Sequence, residues 1–262
     1  MYDIHYHLIY GVDDGPETLE QSLELAQASI NDGVTHIVAT PHANHGYPFL
    51  PEVNKERLDV LSQRLAGRLT LGLGCDFHLS YDNIEDLFRN PAKYTINGRR
   101  YLLVEFPDFG IPPNIAKTFY DMQCAGVTPI VTHPERNAIL MGTPQLIRNW
   151  LEHGCLLQVT AGALFGRFGP RIEASVHKMV KDNWVHLVAS DAHYIKGRWP
   201  RMGQAYQVLK DRYGEEVASR LCVRNPRSVF QGELLEEQPE PEGVYQGATT
   251  PRRGILARVF GR

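Results

Sequence analysis

Short runs of β-branched and large apolar residues alternate along the chain with longer stretches in which apolar positions recur every three or four residues. The short runs fall at 2–7, 35–40, 69–75, 101–106, 128–132, 155–160 and 185–190, each with a Gly, Pro or Asn nearby, which is the signature of buried strands. The clearest of the longer stretches is 18–32, where Leu19, Leu23, Ala26 and Ile30 would share one helical face. Thr18 or Glu17 opens it just after Pro16, and Gly33 closes it. Comparable helical patterns cover 52–66, 112–125, 143–153, 170–182 and 202–213. Strands separated by helices predict a parallel α/β sheet, because a parallel connection needs a crossover long enough to hold a helix. The number of strands suits a closed barrel; an open doubly wound sheet is the rival.

The pattern changes near residue 232. From there to about Gly247 Glu, Pro, Gln and Gly dominate, with too few apolar side chains to offset the entropy of ordering. The sequence therefore predicts one domain over 1–232 and a flexible tail over 233–262. The tail ends in a basic segment, 251–262, that carries Ile255, Leu256, Val259 and Phe260 at helical spacing. Such a segment suits contact with a partner or an anionic membrane surface.

Composition narrows the picture only a little. In a 262-residue chain, 43% hydrophobic and 22% charged residues are ordinary for a soluble globular enzyme. A formal charge of −3 gives no electrostatic footprint for nucleic acid. No apolar run approaches a membrane span, and Met-Tyr-Asp-Ile-His is unlike a secretory signal. Cys75, Cys124, Cys155 and Cys222 form no Cys-x-x-Cys pair, which predicts reduced thiols in the cytoplasm.

The candidate chemistry lies at the strand ends. His5 and His7 are two apart in the first strand, so both point to one face. Asp13 and Asp14 follow in the next loop; one suffices as a ligand, and the other would cap the following helix. His42 closes the second strand, Asp76 the third, Glu105 the fourth and His133 the fifth, while Asp191 and His193 close the seventh. In a parallel barrel all of these ends share one rim, where active sites assemble. Imidazole and carboxylate suit manganese, iron or zinc, and ions about 3.5–4 Å apart can activate a water and clamp a phosphoryl group. A lone His or Asp is more often a cap or an ion-pair partner, but repetition from strand to strand is not explained by packing. Arg136, Arg198 and Arg201 lie close by in sequence, and a guanidinium fork matches phosphate oxygens. His45 and His78 stand near enough to line a pocket; His36, His153, His177 and His186 do not.

The series Asp3-Ile-His-Tyr-His7, Val12-Asp-Asp-Gly-Pro16, Thr40-Pro-His42, Glu105-Phe106, His133-Pro-Glu-Arg136 and Ser190-Asp-Ala-His193 resembles the polymerase and histidinol phosphatase (PHP) superfamily. More narrowly, it resembles bacterial manganese-dependent tyrosine-protein phosphatases of capsule and exopolysaccharide synthesis. The resemblance covers residues 1 to about 232. It implies a distorted (β/α)7, TIM-like barrel with two or three metal ions, Mn2+ first, with Fe or Zn as alternatives. By position, one ion would take His5, His7, Glu105 and Asp191, and a second Asp76, Glu105 and His133. A third would take Asp14, His42 and His193. Arg136 would hold the substrate phosphate, and Asp191 or His193 would shuttle a proton. The relatives carry Glu at the position of Asp76, whose shorter arm puts its reach in question. The substrate implied is a phosphotyrosine protein, a membrane-associated tyrosine autokinase in particular, and self-association is implied as well.

Cysteine-based chemistry is excluded independently. It needs an Arg six positions after the Cys, and those positions hold Tyr81, Ile130, Ala161 and Ser228. The rivals are a phosphatase for histidinol phosphate or another small phosphomonoester, and a non-catalytic, metal-stabilised scaffold that binds a kinase. The short 44–52 loop favours the protein substrate over the small one, and the intact ligand series opposes the scaffold.

Overall fold

The computed structural model describes residues 1–107, 109–194 and 197–243. Its strands are β1 (Tyr2–Tyr6), β2 (His36–Ala39), β3 (His42–Ala43), β4 (Thr70–Leu73), β5 (Asp76–His78), β6 (Tyr101–Glu105), β7 (Thr128–Thr132), β8 (Leu156–Thr160) and β9 (Leu187–Ala189). All pair in parallel, in the orders β1-β2-β4 and β3-β5-β6-β7-β8-β9. The two sheets are halves of one. β2 and β3 are a single run broken at Thr40-Pro41, where proline has no N–H to donate, and β4 and β5 are a single run broken at Gly74-Cys75. Across the breaks Gly74 N donates to Ala39 O (2.9 Å) and Asp76 N to Pro41 O (3.1 Å), which keeps the halves in line. Beyond β9 the chain returns to β1. Asp191 N donates to His5 O (3.0 Å) and His7 N to Ala192 O (2.9 Å), so the succession of strands closes on itself as a distorted seven-strand barrel.

The helices are α1 (Leu19–Asn31), α2 (Pro51–Leu65), α3 (Tyr81–Arg89), α4 (Pro91–Tyr94), α5 (Ile115–Cys124), α6 (Ala138–Gly142), α7 (Pro144–Glu152), α8 (Pro170–Lys181), α9 (Met202–Tyr213), α10 (Glu215–Ser219) and α11 (Asn225–Gln231). The start of α1 is set by a capping box: Thr18 accepts from Gln21 N and the Gln21 side chain accepts from Thr18 N. Thr18, not Asp13, caps this helix, which frees Asp13 for another role. The short α3, α4, α6, α10 and α11 are not foreshadowed by periodicity. In α3, Ser80 capping Asn83 N is the local cause, and only Leu87 is buried.

Strand alternation separates two cores. Leu102, Val104, Val131, Leu157 and Val159 pack outward against Leu25, Phe119, Trp150 and Val176 of the helices. Phe106 stacks on Trp150 (centroids 5.0 Å) and Phe119 meets the same indole edge-on (5.4 Å). On the opposite strand face Tyr101, Leu103, Ile130 and Leu156 form a second apolar cluster with Val38, Leu187 and Val229. Two residues further along those strands stand Glu105, Thr132 and Gln158, so this cluster is the floor on which the polar residues of the mouth rest.

The expected tail divides. Up to Gly243 it is bound along the barrel, in contrast to the flexible tether predicted from its composition. Tyr101 Oη donates to Glu233 O (2.6 Å), Trp184 Nε1 to Glu242 O (2.8 Å), and Asn225 and Gln238 exchange amide bonds. Leu235 packs on the inner apolar cluster. Half of these bonds end on backbone carbonyls, which any residue supplies, so composition carries no trace of them. The basic segment 251–262 lies outside the described residues. No helix among the described residues is long and apolar enough to cross a membrane. A chain ending at Gly232 is expected to be about 1–3 kcal/mol less stable than one ending at Gly243, at a net ~0.5–1.5 kcal/mol per hydrogen bond. Thermal unfolding of the two chains measures this, and equal midpoints would contradict it.

Candidate metal centre

His5 and His7 stand on and just past β1, His42 begins β3, Asp76 begins β5, and Glu105 ends β6. His133 follows β7, and Asp191 and His193 follow β9. His133 (φ 32°) and Asp191 (φ 52°) adopt the left-handed backbone region, uncommon for residues with a Cβ. In both places the strand turns sharply and throws the side chain over the mouth, a form of local strain found at functional positions.

The rings and carboxylates then face one another. His5 Nε2 lies 3.6 Å from both Asp76 Oδ2 and Asp191 Oδ1. His7 Nε2 is 3.5 Å from Asp191 Oδ1. His42 Nε2 and His193 Nε2 approach Asp14 Oδ1 at 3.3 and 3.2 Å. His42 Nδ1 stands 3.4 Å from Asp76 Oδ2 and 3.6 Å from Glu105 Oε2, and His133 Nε2 is 3.7 Å from Glu105 Oε1. Asp76 therefore reaches the centre despite its short arm. The His7 and His193 rings stack with centroids 3.7 Å apart.

Three groups hold ligand atoms mutually within 4.8 Å: His7, Asp14, His42 and His193; His5, His7 and Asp76; and His42, Asp76 and Glu105. The first contains the trio expected for the third ion, with His7 added. In the other two, His5 and His7 gather with Asp76, and His42 with Asp76 and Glu105; His5 and His7 also face Asp191, and His133 faces Glu105, as the resemblance implies.

These residues fit divalent ions on two counts. Two atoms each ~2.1 Å from one ion stand roughly 3–3.5 Å apart, close to the spacings observed. Moreover, His5 Nε2, His7 Nε2, His42 Nδ1, His193 Nε2 and both Asp76 oxygens are buried without a hydrogen-bond partner. Such atoms are rare in folded proteins unless something else satisfies them.

The far ring nitrogens are held in place. Gln158 Oε1 meets His5 Nδ1 (2.9 Å) and Asp13 Oδ2 meets His7 Nδ1 (2.6 Å), while Asp13 also accepts from His42 N and Gly15 N. A partner on the outer nitrogen fixes the tautomer and aims the inner one. Asp13 as a brace for His7, and Gln158, were not anticipated from sequence. Asp13 could have been suspected from the doubled Asp; Gln158 gives no signal, as it lies 153 residues from its partner.

Arg136 and Arg198 both bind Asp191 Oδ2, and Arg198 lies 4.0 Å from Asp14. Arg201 does not join them. Its guanidinium lies over the Trp199 ring (4.5 Å) and bonds Gln204, because the chain has already turned into α9. His42, His78, Glu105, His133, Arg136 and Leu140 line a cleft of about 370 Å³ beside the centre. His36, His153, His177 and His186 have local partners away from it, as expected.

The family model described as capsular polysaccharide synthesis, CpsB/CapC, matches residues 1–231. The chain belongs to the CpsB/CapC family. Tyrosine-protein phosphatase YwqE of Bacillus subtilis (strain 168) is 33% identical over 243 residues, covering 91% of this chain and 95% of that protein. Tyrosine-protein phosphatase CpsB of Streptococcus pneumoniae is 30% identical over 244 residues, covering 90% and 100%. A crystal structure from the YwqE and CpsB pair, metal-dependent tyrosine phosphatases, superposes with a TM-score of 0.87 at 32% identity, over 94% of this chain and 100% of that one. The CpsB/CapC architecture is thus that of this barrel from its first strand to α11.

The electrostatics of this CpsB/CapC centre follow from its crowding. Burial opposes a charged His5, but Asp76 and Asp191 outweigh it and lift the imidazole to about 9. Burial likewise opposes charge on His42, and bonds to Asp14 and Asp76 lift it to about 11. Burial, then the charge of Asp76, raises Glu105 to about 8. Burial and then His193 lower His7 to about 4, and burial and then Arg136 lower His133 to about 3. Burial disfavours charge on Asp191 too, yet His5, Arg198 and Arg136 hold it well below the carboxylate range.

At neutral pH, before ions bind, His5, His42 and Glu105 therefore carry protons. A metal needs the neutral imidazole and the carboxylate, so binding expels those protons and affinity rises with pH. Adding manganese to metal-free protein in weak buffer at pH 7 is expected to release more than one proton per chain. The release should shrink once the starting pH passes the Glu105 and His5 values. Binding without proton release would refute this charge assignment.

Proposed function

We propose that the chain is a metal-dependent protein-tyrosine phosphatase that holds its ions on His5, His7, Asp14, His42, Asp76, Glu105, His133, Asp191 and His193. One observation carries the reading: buried, unpartnered imidazole and carboxylate atoms face one another at the strand ends of a CpsB/CapC chain. Manganese is the favoured ion; the mixed nitrogen and oxygen donors, with no thiolate among them, also suit iron and zinc. Bound divalent ions would supply an activated water and neutralise charge on the phosphoryl oxygens.

The chain's own residues do the rest. Gln158 and Asp13 keep His5 and His7 aimed inward. Arg136 and Arg198 present guanidinium groups at the mouth, where the fork can pass from Asp191 to phosphate oxygens, a match of geometry as well as charge. Phe106 and Leu140, both buried, supply apolar wall to the cleft that Arg136 lines. Asp191 and His193 lie at the same corner; His5, Arg198 and Arg136 keep Asp191 ionised, so the transfer of a proton to the departing tyrosyl oxygen falls to His193. A phenol leaves readily, its pKa being ~10, so the demand on that proton is small.

The exposed Tyr47 and Tyr194 rise at the rim beside His42 and His193, which favours a protein side chain over a small enclosed molecule. The substrate we infer is a membrane-associated tyrosine kinase of capsule synthesis, dephosphorylated in the cytoplasm, where unpaired cysteines such as these persist.

His133→Ala is expected to lose at least ~100-fold in turnover of a phosphotyrosine peptide, in line with loss of a group that completes a metal site. Circular dichroism should report an unchanged fold. The unaltered protein should hydrolyse the peptide faster than histidinol phosphate. Full activity in the variant would refute the site, and the reverse substrate order would refute the substrate class.

A further inference from the structure

Next to the metal centre lies a second cleft of about 350 Å³, between the turn after β8 and the chain that leads into α9. Phe165, Arg167, Gly197, Trp199, Arg201 and Gln204 line it, and no carboxylate is among the residues that do. Arg201 is laid over the Trp199 ring and has the neutral Gln204 amide as its hydrogen-bond partner (2.9 Å). Arg167 donates to the Gly197 carbonyl and lies over the Phe168 ring (5.6 Å). Among the described residues neither guanidinium forms an ion pair. Asp32, whose charge Arg201 influences, accepts from Gly203 N (2.8 Å) at the start of α9.

This cleft is joined to the phosphate corner. Arg136 lies over the same Phe168 ring as Arg167 (5.1 Å), and Arg198, which binds Asp191, directly follows Gly197. Gly197 (φ 150°) presents its carbonyl in a conformation that a side chain would block, since a Cβ there would stand 2.6 Å from the Tyr194 ring. Arg136 and Arg198 bind Asp191, and Arg167 stands beside them with a backbone carbonyl, not a carboxylate, as its hydrogen-bond partner. Burial, and then repulsion from Arg198, hold the Arg167 guanidinium below its ordinary value. Paired cations at a cleft with aromatic walls form a receptor for an anion, although Asp32 stands near Arg201 and the Glu173 carboxylate abuts Gly166 at its edge.

We infer that this cleft is a second anion subsite, which takes an acidic or phosphorylated side chain of the same polypeptide whose phosphotyrosine enters the metal centre. The inference rests on the phosphotyrosine reading above and adds a specificity to it. Phosphate, with more charge and more acceptor oxygens than a carboxylate, binds there the more tightly.

The test uses the full chain loaded with manganese and one phosphotyrosine peptide in three forms: with neutral neighbours, with glutamates beside the phosphotyrosine, and with a second phosphotyrosine there. KM is expected to fall roughly tenfold from the neutral to the doubly phosphorylated form, the strength of about one charge-assisted contact. The glutamate form should lie between, with kcat little changed. Arg167→Gln and Arg201→Gln should each narrow the spread of KM and together abolish it. Arg171→Gln removes the same charge from an exposed site on α8 and should keep the spread. Equal KM values for all three peptides, or a spread that survives the double variant, would overturn the subsite alone. Failure to hydrolyse any of the three would overturn the phosphotyrosine reading and the subsite with it.

Discussion

Buried polar atoms that nothing in the chain satisfies are the constraint around which this protein is organised. Each unpaired imidazole nitrogen or carboxylate oxygen in the mouth costs about 1–3 kcal/mol. Several of them sit within a few ångströms of one another, so the metal-free centre is a concentrated liability. A protein keeps such a cluster only where another group completes it, and mixed nitrogen and oxygen donors at these spacings call for cations. The rest of the barrel serves to hold that cluster open and dry.

The supporting structure follows from this need. Apolar floor residues such as Leu103, Ile130 and Leu156 lie one strand step beneath Glu105, Thr132 and Gln158, so the polar layer cannot sink into the core. Left-handed backbone at His133 and Asp191 turns strand ends into presenting arms. Asp13 and Gln158 then remove the remaining rotational freedom of His7 and His5. At the edge of the cluster Arg136 and Arg198 neutralise Asp191, the carboxylate most crowded by neighbours. That contact ties the metal centre to the cationic surface beside it.

Much of this was legible in the sequence, for a physical reason. Buried strands are brief and rich in branched apolar residues, so β6, β7 and β8 stand out along the chain. Amphipathic helices such as α1 declare both their face and their cap. Strand-end His and Asp residues converge because a parallel barrel gathers all carboxyl ends on one rim. Other features were hidden because they depend on contacts with no local mark. Gln158 acquires its role only when β8 lies across the barrel from β1. Arg201 seemed a phosphate ligand by proximity in sequence, yet the turn into α9 carries it to another cleft. The 233–243 segment is polar and Pro-rich, but its backbone carbonyls find Tyr101, Asn183 and Trp184. How the ligands divide among ions is likewise a matter of ångström distances, which no spacing along the chain encodes.

The claim that cations satisfy the buried cluster is tested most directly by anomalous X-ray scattering at the manganese edge from crystals of the manganese-loaded protein. The account predicts peaks in the mouth within ~2.0–2.3 Å of the unpartnered atoms of His5, His7, His42, Asp76 and His193. A mouth without peaks, or manganese found only on the outer surface, would contradict it.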